Sequence, residues 1–445
     1  MKPTKVLVQT GVYEGVTHEG GKAIRLTDEQ TLRRSVLACL LWEGTFYEDG
    51  QSAYERICRL AATVNPERVR ALAVEARQEH QLRHVPLVLC RELLRRGELN
   101  EQTLTSCLQR ADEPAQFLAL LWTEGRCHVP RVVRRAIVTA LPRWDEYQLA
   151  KWGRQGPITM RDIFRLCHPD PKREPTPGLW AKVVKQELAV PDTWEVAISG
   201  AGNKAVEWRR LIAGKRLGGL ALLRNLRNLR ECGIEKETVA QAMEAAQFTR
   251  VLPFRFLAAA KVVPQWEDII DQAMLRQPPE ARLPGETWLL VDVSGSMDYS
   301  LSRKSDLTRM DAACGVAILA REMCDECRMF TFSQRLVELP VRRGMALRDA
   351  AVRSQGHGGT YLARALEDLA RMARRKPPER LVVVTDEQAH DDVQAGVGKR
   401  HYLVNVGTYE KGVGYGPWVR INGFSDAVLG YIAACERLDA EATKQ

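Results

Sequence analysis

ETWLLVDVSGSMD (286–298) is the stretch whose reading decides the fold. Its run Trp288–Val293 is apolar except for Asp292, the pattern of a strand buried on both faces. The strand passes directly into Ser294-Gly295-Ser296. One carboxylate and two hydroxyls therefore fall just beyond its carboxyl end, where open α/β sheets place their ligands. Downstream, helix and strand patterns alternate: DAACGVAILAREMC (311–324), CRMFTFS (327–333), a helix over 361–375, ERLVVVTDE (379–387), HYLVNVG (401–407), WVRING (418–423) and SDAVLGYIAACERL (425–438). Such alternation predicts a mostly parallel, doubly wound sheet over 281–445.

Upstream, the chain reads as helix after helix from about 27 to 275. LRRSVLACLLW (32–42), YERICRLAATV (54–64), VPLVLCRELLRR (85–96), AQFLALLWTEG (115–125) and GGLALLRNLRNLR (218–230) carry apolar residues at three and four spacing. Asn65-Pro66, Gly97, Pro114, Pro130, Gly156-Pro157 and Gly233 punctuate them. Proline-rich stretches interrupt at 168–178 and 277–285. The fold class predicted is mainly α over 1–280, followed by α/β over 281–445. Helix pairs stacked in succession would make an α-solenoid of HEAT-like repeats, although no fixed-length sequence repeat is visible.

Residues 1–280 hold 42 Lys and Arg against 34 Asp and Glu, while 281–445 hold 23 against 22. The basic excess belongs to the helical part, and it favours a polyanionic partner such as nucleic acid. No apolar run reaches the roughly 20 residues that span a bilayer. MKPTKVLVQTGVYEG (1–15) lacks the pattern of a secretory signal, so a cytoplasmic location is expected. The 11 cysteines read mostly as small buried hydrophobes. Cys324 and Cys327 have zinc-like spacing, but no second pair follows them.

Two further oxygen donors arise in contexts that match the Asp292 strand. Thr360 closes the glycine-rich GHGGT loop before a helix, and Asp386 follows the buried strand LVVVT. Asp292, Ser294, Ser296, Thr360 and Asp386 together suit a hard divalent cation, most naturally Mg²⁺, which favours oxygen ligands and keeps some of its water. An aspartate and serines capping a following helix is the plainer account of D-x-S-x-S alone. No base, nucleophile and oxyanion donors accompany the set. His357, three residues before Thr360, is the one base to weigh, and binding without turnover is expected.

The five residues, in their order and strand contexts, resemble the metal-ion-dependent adhesion site of von Willebrand factor type A domains. Asp292, Ser294 and Ser296 match its D-x-S-x-S motif, Thr360 its loop threonine and Asp386 its second aspartate. In the helical part, basic residues and tryptophans are interleaved, among them Arg131, Arg134, Arg135, Trp144, Lys151, Trp152, Arg161, Arg165, Trp180, Trp194, Lys204 and Trp208. On spacing alone, a solvated basic face over buried tryptophans is preferred to RNA binding as the account of this pattern.

RRSVLACLLWEGTFYEDG (33–50), ARQEHQLRHVPLVLCREL (76–93), ITMRDIFRLCHPDP (158–171), WEVAISGAGNKAVEW (194–208) and LGGLALLRNLRNLRECGI (217–234) are similar to the TROVE module of Ro autoantigen proteins. The order, TROVE then type A domain, is also that family's. The resemblance implies a monomeric ring of helical repeats closed by the type A domain. It implies a ribonucleoprotein that binds small noncoding Y-like RNA outside and single-stranded 3′ ends of misfolded RNAs in the central hole. In bacterial members it implies RNA maturation or decay with a tethered exoribonuclease. Carried over by motif, His168, Arg161 and Arg165 would face RNA, with Lys204 a further candidate. Arg83 and His84 are included on charge. A metal-dependent protein adaptor built on the type A site is the alternative.

Overall fold

The computed structural model describes residues 13–16, 22–24, 27–37, 50–79, 82–152, 156–248, 251, 253–276, 282–300, 307–393, 396–407 and 418–422, with single positions at 429, 432 and 436. The chain forms two compact units, residues 54–202 and residues 1–53 with 203–445. Secondary structure changes type near 280, as the sequence indicates, but compactness groups the helices after 203 with the sheet.

The 54–202 unit is helical. Pro66–Gln78 packs on His84–Arg95 and on Glu101–Cys107; Glu101–Cys107 packs on Arg131–Ala140, which in turn meets Met160–Cys167. Local chemistry sets the starts of these helices. Asn65 accepts from Glu67 N ahead of Pro66, Asn100 accepts from Thr103 N, and Thr159 and Asp162 cap each other reciprocally. A buried ion pair ties two of the layers together. Glu113, fully buried, accepts from Arg77 Nη2 at 2.9 Å and from the backbone N–H groups of Gln109 and Arg110.

In the other unit, strands β1 (Tyr13–Val16) and β2 (Lys22–Ile24) form a small antiparallel pair that the helical pattern gave no sign of. Lys204–Ala213 packs on Lys236–Ala245, and that helix on Glu267–Leu275; Gly219–Glu231 packs on Pro253–Val262. The sheet follows, with β3 (Leu283–Asp292), β4 (Cys324–Phe332), β5 (Leu336–Glu338), β6 (Arg380–Thr385), β7 (Arg400–Asn405) and β8 (Val419–Asn422). Its order is β5-β4-β3-β6-β7-β8, and β5 alone runs antiparallel. Trp288, Leu290, Phe330, Phe332, Leu381 and Leu403 pack against the helix Leu362–Ala373 on one face. The helix Arg309–Met323 packs on β3, β4 and β6. This is the doubly wound arrangement expected. The short strand β5 and the helix Gly344–Val352 were not foreseen, and the helix expected at 425–438 lies largely outside the described residues.

Pro253–Val262 joins the helices to the α/β part. Gly315 lets the Phe254 backbone approach so closely that an added Cβ would stand 3.3 Å from Phe254 N. Asp271 Oδ1 accepts from Met345 N at 2.9 Å. Gly344, at φ +54°, makes room for that carboxylate. Among the described residues no helix is long and apolar enough to cross a membrane.

Candidate functional site

Parallel pairing of β3 with β6 brings their carboxyl ends to one edge of the sheet, so Asp292 and the Thr385-Asp386 pair arrive together. Thr385 Oγ1 donates to Asp292 Oδ2 at 2.6 Å, and Ser294 N donates to Oδ1 at 2.8 Å. Ser294 and Ser296 place their hydroxyl oxygens 3.4 Å apart. The Thr360 loop is fastened to this turn by Gly295 N donating to Gly358 O at 2.9 Å. Thr360 itself is clamped by His390, whose Nδ1 accepts from Thr360 N and whose backbone N donates to Thr360 O. Asp292, Ser294, Thr360 and Asp386 are all buried, and Ser296 is half-buried.

The electrostatics suit a cation. Burial first, and then the neighbouring Asp386 carboxylate, push Asp292 up to about 7, the behaviour of two acids placed where their charges press on each other. Among the described residues no three His, Cys, Asp or Glu side chains gather as a metal site. Any ion held at this edge would thus rely on two carboxylates completed by hydroxyls and water, a donor set that fits Mg²⁺. Cys324 and Cys327 gather no third ligand of those types among the described residues.

His357 turns both ring nitrogens to fixed partners, Nδ1 to Asp298 at 2.7 Å and Nε2 to Val352 O at 2.9 Å. Burial works against its protonation, yet the Val352 carbonyl and Asp298 raise its pKa. A histidine held in this way is a poor base.

Two participants escaped the sequence reading. Thr385, next to Asp386, orients Asp292. Arg309, only 3% exposed, donates from Nη1 to Asp386 Oδ2 at 3.1 Å and to Ser296 O at 3.2 Å. A faint signal existed for the arginine. It opens a helix behind a Thr308/Asp311 capping box, where the helix dipole disfavours a positive side chain.

In the helical unit, Met160, Ile163, Phe164 and Cys167 bury one face of a helix. Arg161, Arg165 and His168, at i, i+4 and i+7, lie off that face; Arg165 and His168 are exposed, and Arg161 is half-buried. Arg161 Nη1 donates to Gln186 Oε1 at 3.2 Å. Arg165 and His168 form no ion pair among the described residues. His168 ends the helix in the left-handed region, at φ 48° and ψ 58°, a position usually given to glycine. Arg83 is bound to Asp112 at 2.8 Å, so its charge is already answered. His84 opens its helix, and partial desolvation of its ring and the neighbouring Arg83 charge lower its pKa. Lys204, exposed, opens the helix after Asn203 in the other unit. Trp144, Trp180 and Trp208 are buried core, and Trp152 carries the Arg110 guanidinium 3.6 Å over its ring. The plain reading of these tryptophans holds for the three buried ones.

A family model described as "TROVE domain" matches residues 181–287, and one described as "Protein of unknown function DUF58" matches 270–411. Telomerase protein component 1 of Mus musculus is 36% identical over 116 residues, 24% of this chain and 4% of that protein. The Rattus norvegicus counterpart is 38% identical over 142 residues, 29% of this chain and 5% of that protein. The chain thus spans about one-twentieth of the length of these curated relatives. Among solved structures, the Deinococcus radiodurans Ro (RSR) protein superposes with a TM-score of 0.55 at 18% identity, covering 91% of this chain and 98% of that one.

Proposed function

We propose that this chain is an RNA-binding scaffold of the Ro type, a reading supported by its TROVE-matching segment and by the fold it shares with the Deinococcus radiodurans Ro protein. The observation that carries the reading is the basic edge of Arg161, Arg165 and His168, which lies off the buried face of its helix, with Arg165 and His168 exposed and in no ion pair among the described residues. Arginine forks suit phosphate oxygens, and a histidine held outward at a helix end can stack on or donate to an unpaired base. The RNA proposed is a small structured Y-like RNA, together with the single-stranded 3′ ends of misfolded RNAs, bound by stacked helical repeats for quality control, maturation or decay. An exoribonuclease is the partner class proposed. No chemical step is assigned to the chain itself.

The α/β part is proposed to be a von Willebrand factor type A domain. Asp292, Ser294, Ser296, Thr360 and Asp386 would hold Mg²⁺ there, and the ion would supply an open coordination position for an acidic group of a partner. The delivery of Asp292, Ser294, Ser296 and Asp386 to one edge of the sheet, with the Thr360 loop fastened beside them, supports that assignment. A metal-dependent adaptor is accordingly the second reading.

Fluorescence anisotropy with a labelled hairpin RNA bearing a single-stranded 3′ tail tests the first. Affinity should fall steeply with salt, because phosphate neutralisation releases counterions. Arg165→Ala with His168→Ala should weaken binding at least tenfold at unchanged Tm; equal binding by the folded double variant would remove the assignment.

A further inference from the structure

Arg309 occupies the electrostatic place of a resident cation. It is buried, it donates to Asp386 Oδ2 at 3.1 Å, and the same Nη1 reaches the main-chain oxygen of Ser296 at 3.2 Å. Asp386 Oδ1 is turned the other way and accepts from Gln388 N at 3.3 Å. Both oxygens of this carboxylate are therefore engaged. Asp292 is satisfied in the same manner by Thr385 Oγ1 and Ser294 N. Two acids that would repel each other in a dry site each accept donors that the chain itself supplies.

We propose that Arg309 is a built-in counter-ion that competes with the divalent cation for Asp386, so that the site is assembled without metal and takes up metal weakly. This rests on the metal reading above. Adding a dication beside a fixed guanidinium sets like charges together in a medium of low dielectric, where their repulsion is far less screened than in water. Uptake would require the guanidinium to release or share Asp386. Because Arg309 also holds Ser296 O, and its own N–H donates to Tyr299 O at 3.1 Å, the exchange would be felt in the 294–299 turn. The site then responds to metal as a switch, loaded only when metal or an incoming acidic group outweighs the arginine.

The test uses the full chain with Mn²⁺ alone as probe, measured by equilibrium dialysis and by thermal melting with and without chelator. Arg309→Gln should bind Mn²⁺ at least tenfold more tightly than the unmodified protein. Its Tm should drop in chelator and recover with Mn²⁺, whereas the Tm of the unmodified protein should barely respond. Arg309→Lys, which keeps the charge, should stay near the unmodified affinity. Tightening absent in Arg309→Gln, or equally large in Arg309→Lys, overturns the competition. Asp292→Ala separates the two claims. If it abolishes Mn²⁺ binding while Arg309→Gln gains nothing, the metal site stands and the counter-ion role fails. If it binds as the unmodified protein does, both fail. Should Arg309→Gln not fold, ¹⁵N NMR of the unmodified protein reads the same question: the Arg309 side-chain N–H resonance must move on adding Mg²⁺, and a resonance unmoved at saturation refutes the proposal.

Discussion

Replacing Arg380 with Met should cost the α/β part about 3–5 kcal/mol, the usual penalty for removing one partner of a buried ion pair. Arg380 is 1% exposed and opens β6, the strand whose far end delivers Asp386. Its Nε and Nη2 grip the two oxygens of Glu436, each at 2.7 Å. Nη1 reaches Thr287 Oγ1 at 2.7 Å and Nη2 also reaches Pro284 O at 2.6 Å. Methionine fills much of the volume but leaves Glu436, among the described residues, with the Tyr402 hydroxyl at 3.2 Å and Arg400 at 3.9 Å. The variant loses a bidentate charge-assisted pair and strands a carboxylate in a dry place. For a domain of this size each kcal/mol moves Tm by about 2–4 °C, so a drop on the order of 10 °C is expected in calorimetry. Changing both partners, Arg380→Met with Glu436→Leu, should recover most of the loss, because the stranded charge is gone. A single variant within about 1 kcal/mol of the unmodified protein, or a double variant no better than the single, would refute this account.

Acid should weaken the same part through His401, which packs against Trp418. Burial lowers its pKa, so the folded chain prefers it neutral. Its contribution is complete above the unfolded value of about 6.5 and is lost progressively as pH falls below it. Urea titrations at pH 7.5 and 5.5 should show a smaller acid loss in His401→Phe, and an identical loss in both proteins would exclude this source. Gly344→Ala should lower stability by about 2 kcal/mol or more, since alanine pays for the left-handed backbone and its Cβ would fall 2.1 Å from Asp271 Oδ1; a melting point unchanged within error would show that the Asp271 contact gives way freely.

Much of the fold was legible because it is written in local pattern. Apolar spacing of three and four marks the helices from Pro66 to Leu275, and buried runs such as LVVV mark β6, since each reports which face of one element avoids water. The D-x-S-x-S turn, Thr360 and Asp386 were legible too, because each follows a recognisable strand or precedes a helix. Other features belong to no local pattern. Arg309 meets Asp386 across 77 positions, Thr385 meets Asp292 across 93, and Arg380 meets Glu436 across 56. The tertiary structure also decided that Trp144, Trp180 and Trp208 are core, that Arg83 is spent on Asp112, and that the helices after 203 group with the sheet. A periodic sequence states how much surface an element must bury and on which side. Which charge answers which is settled only when packing brings distant groups into one low-dielectric place, where each must find its partner.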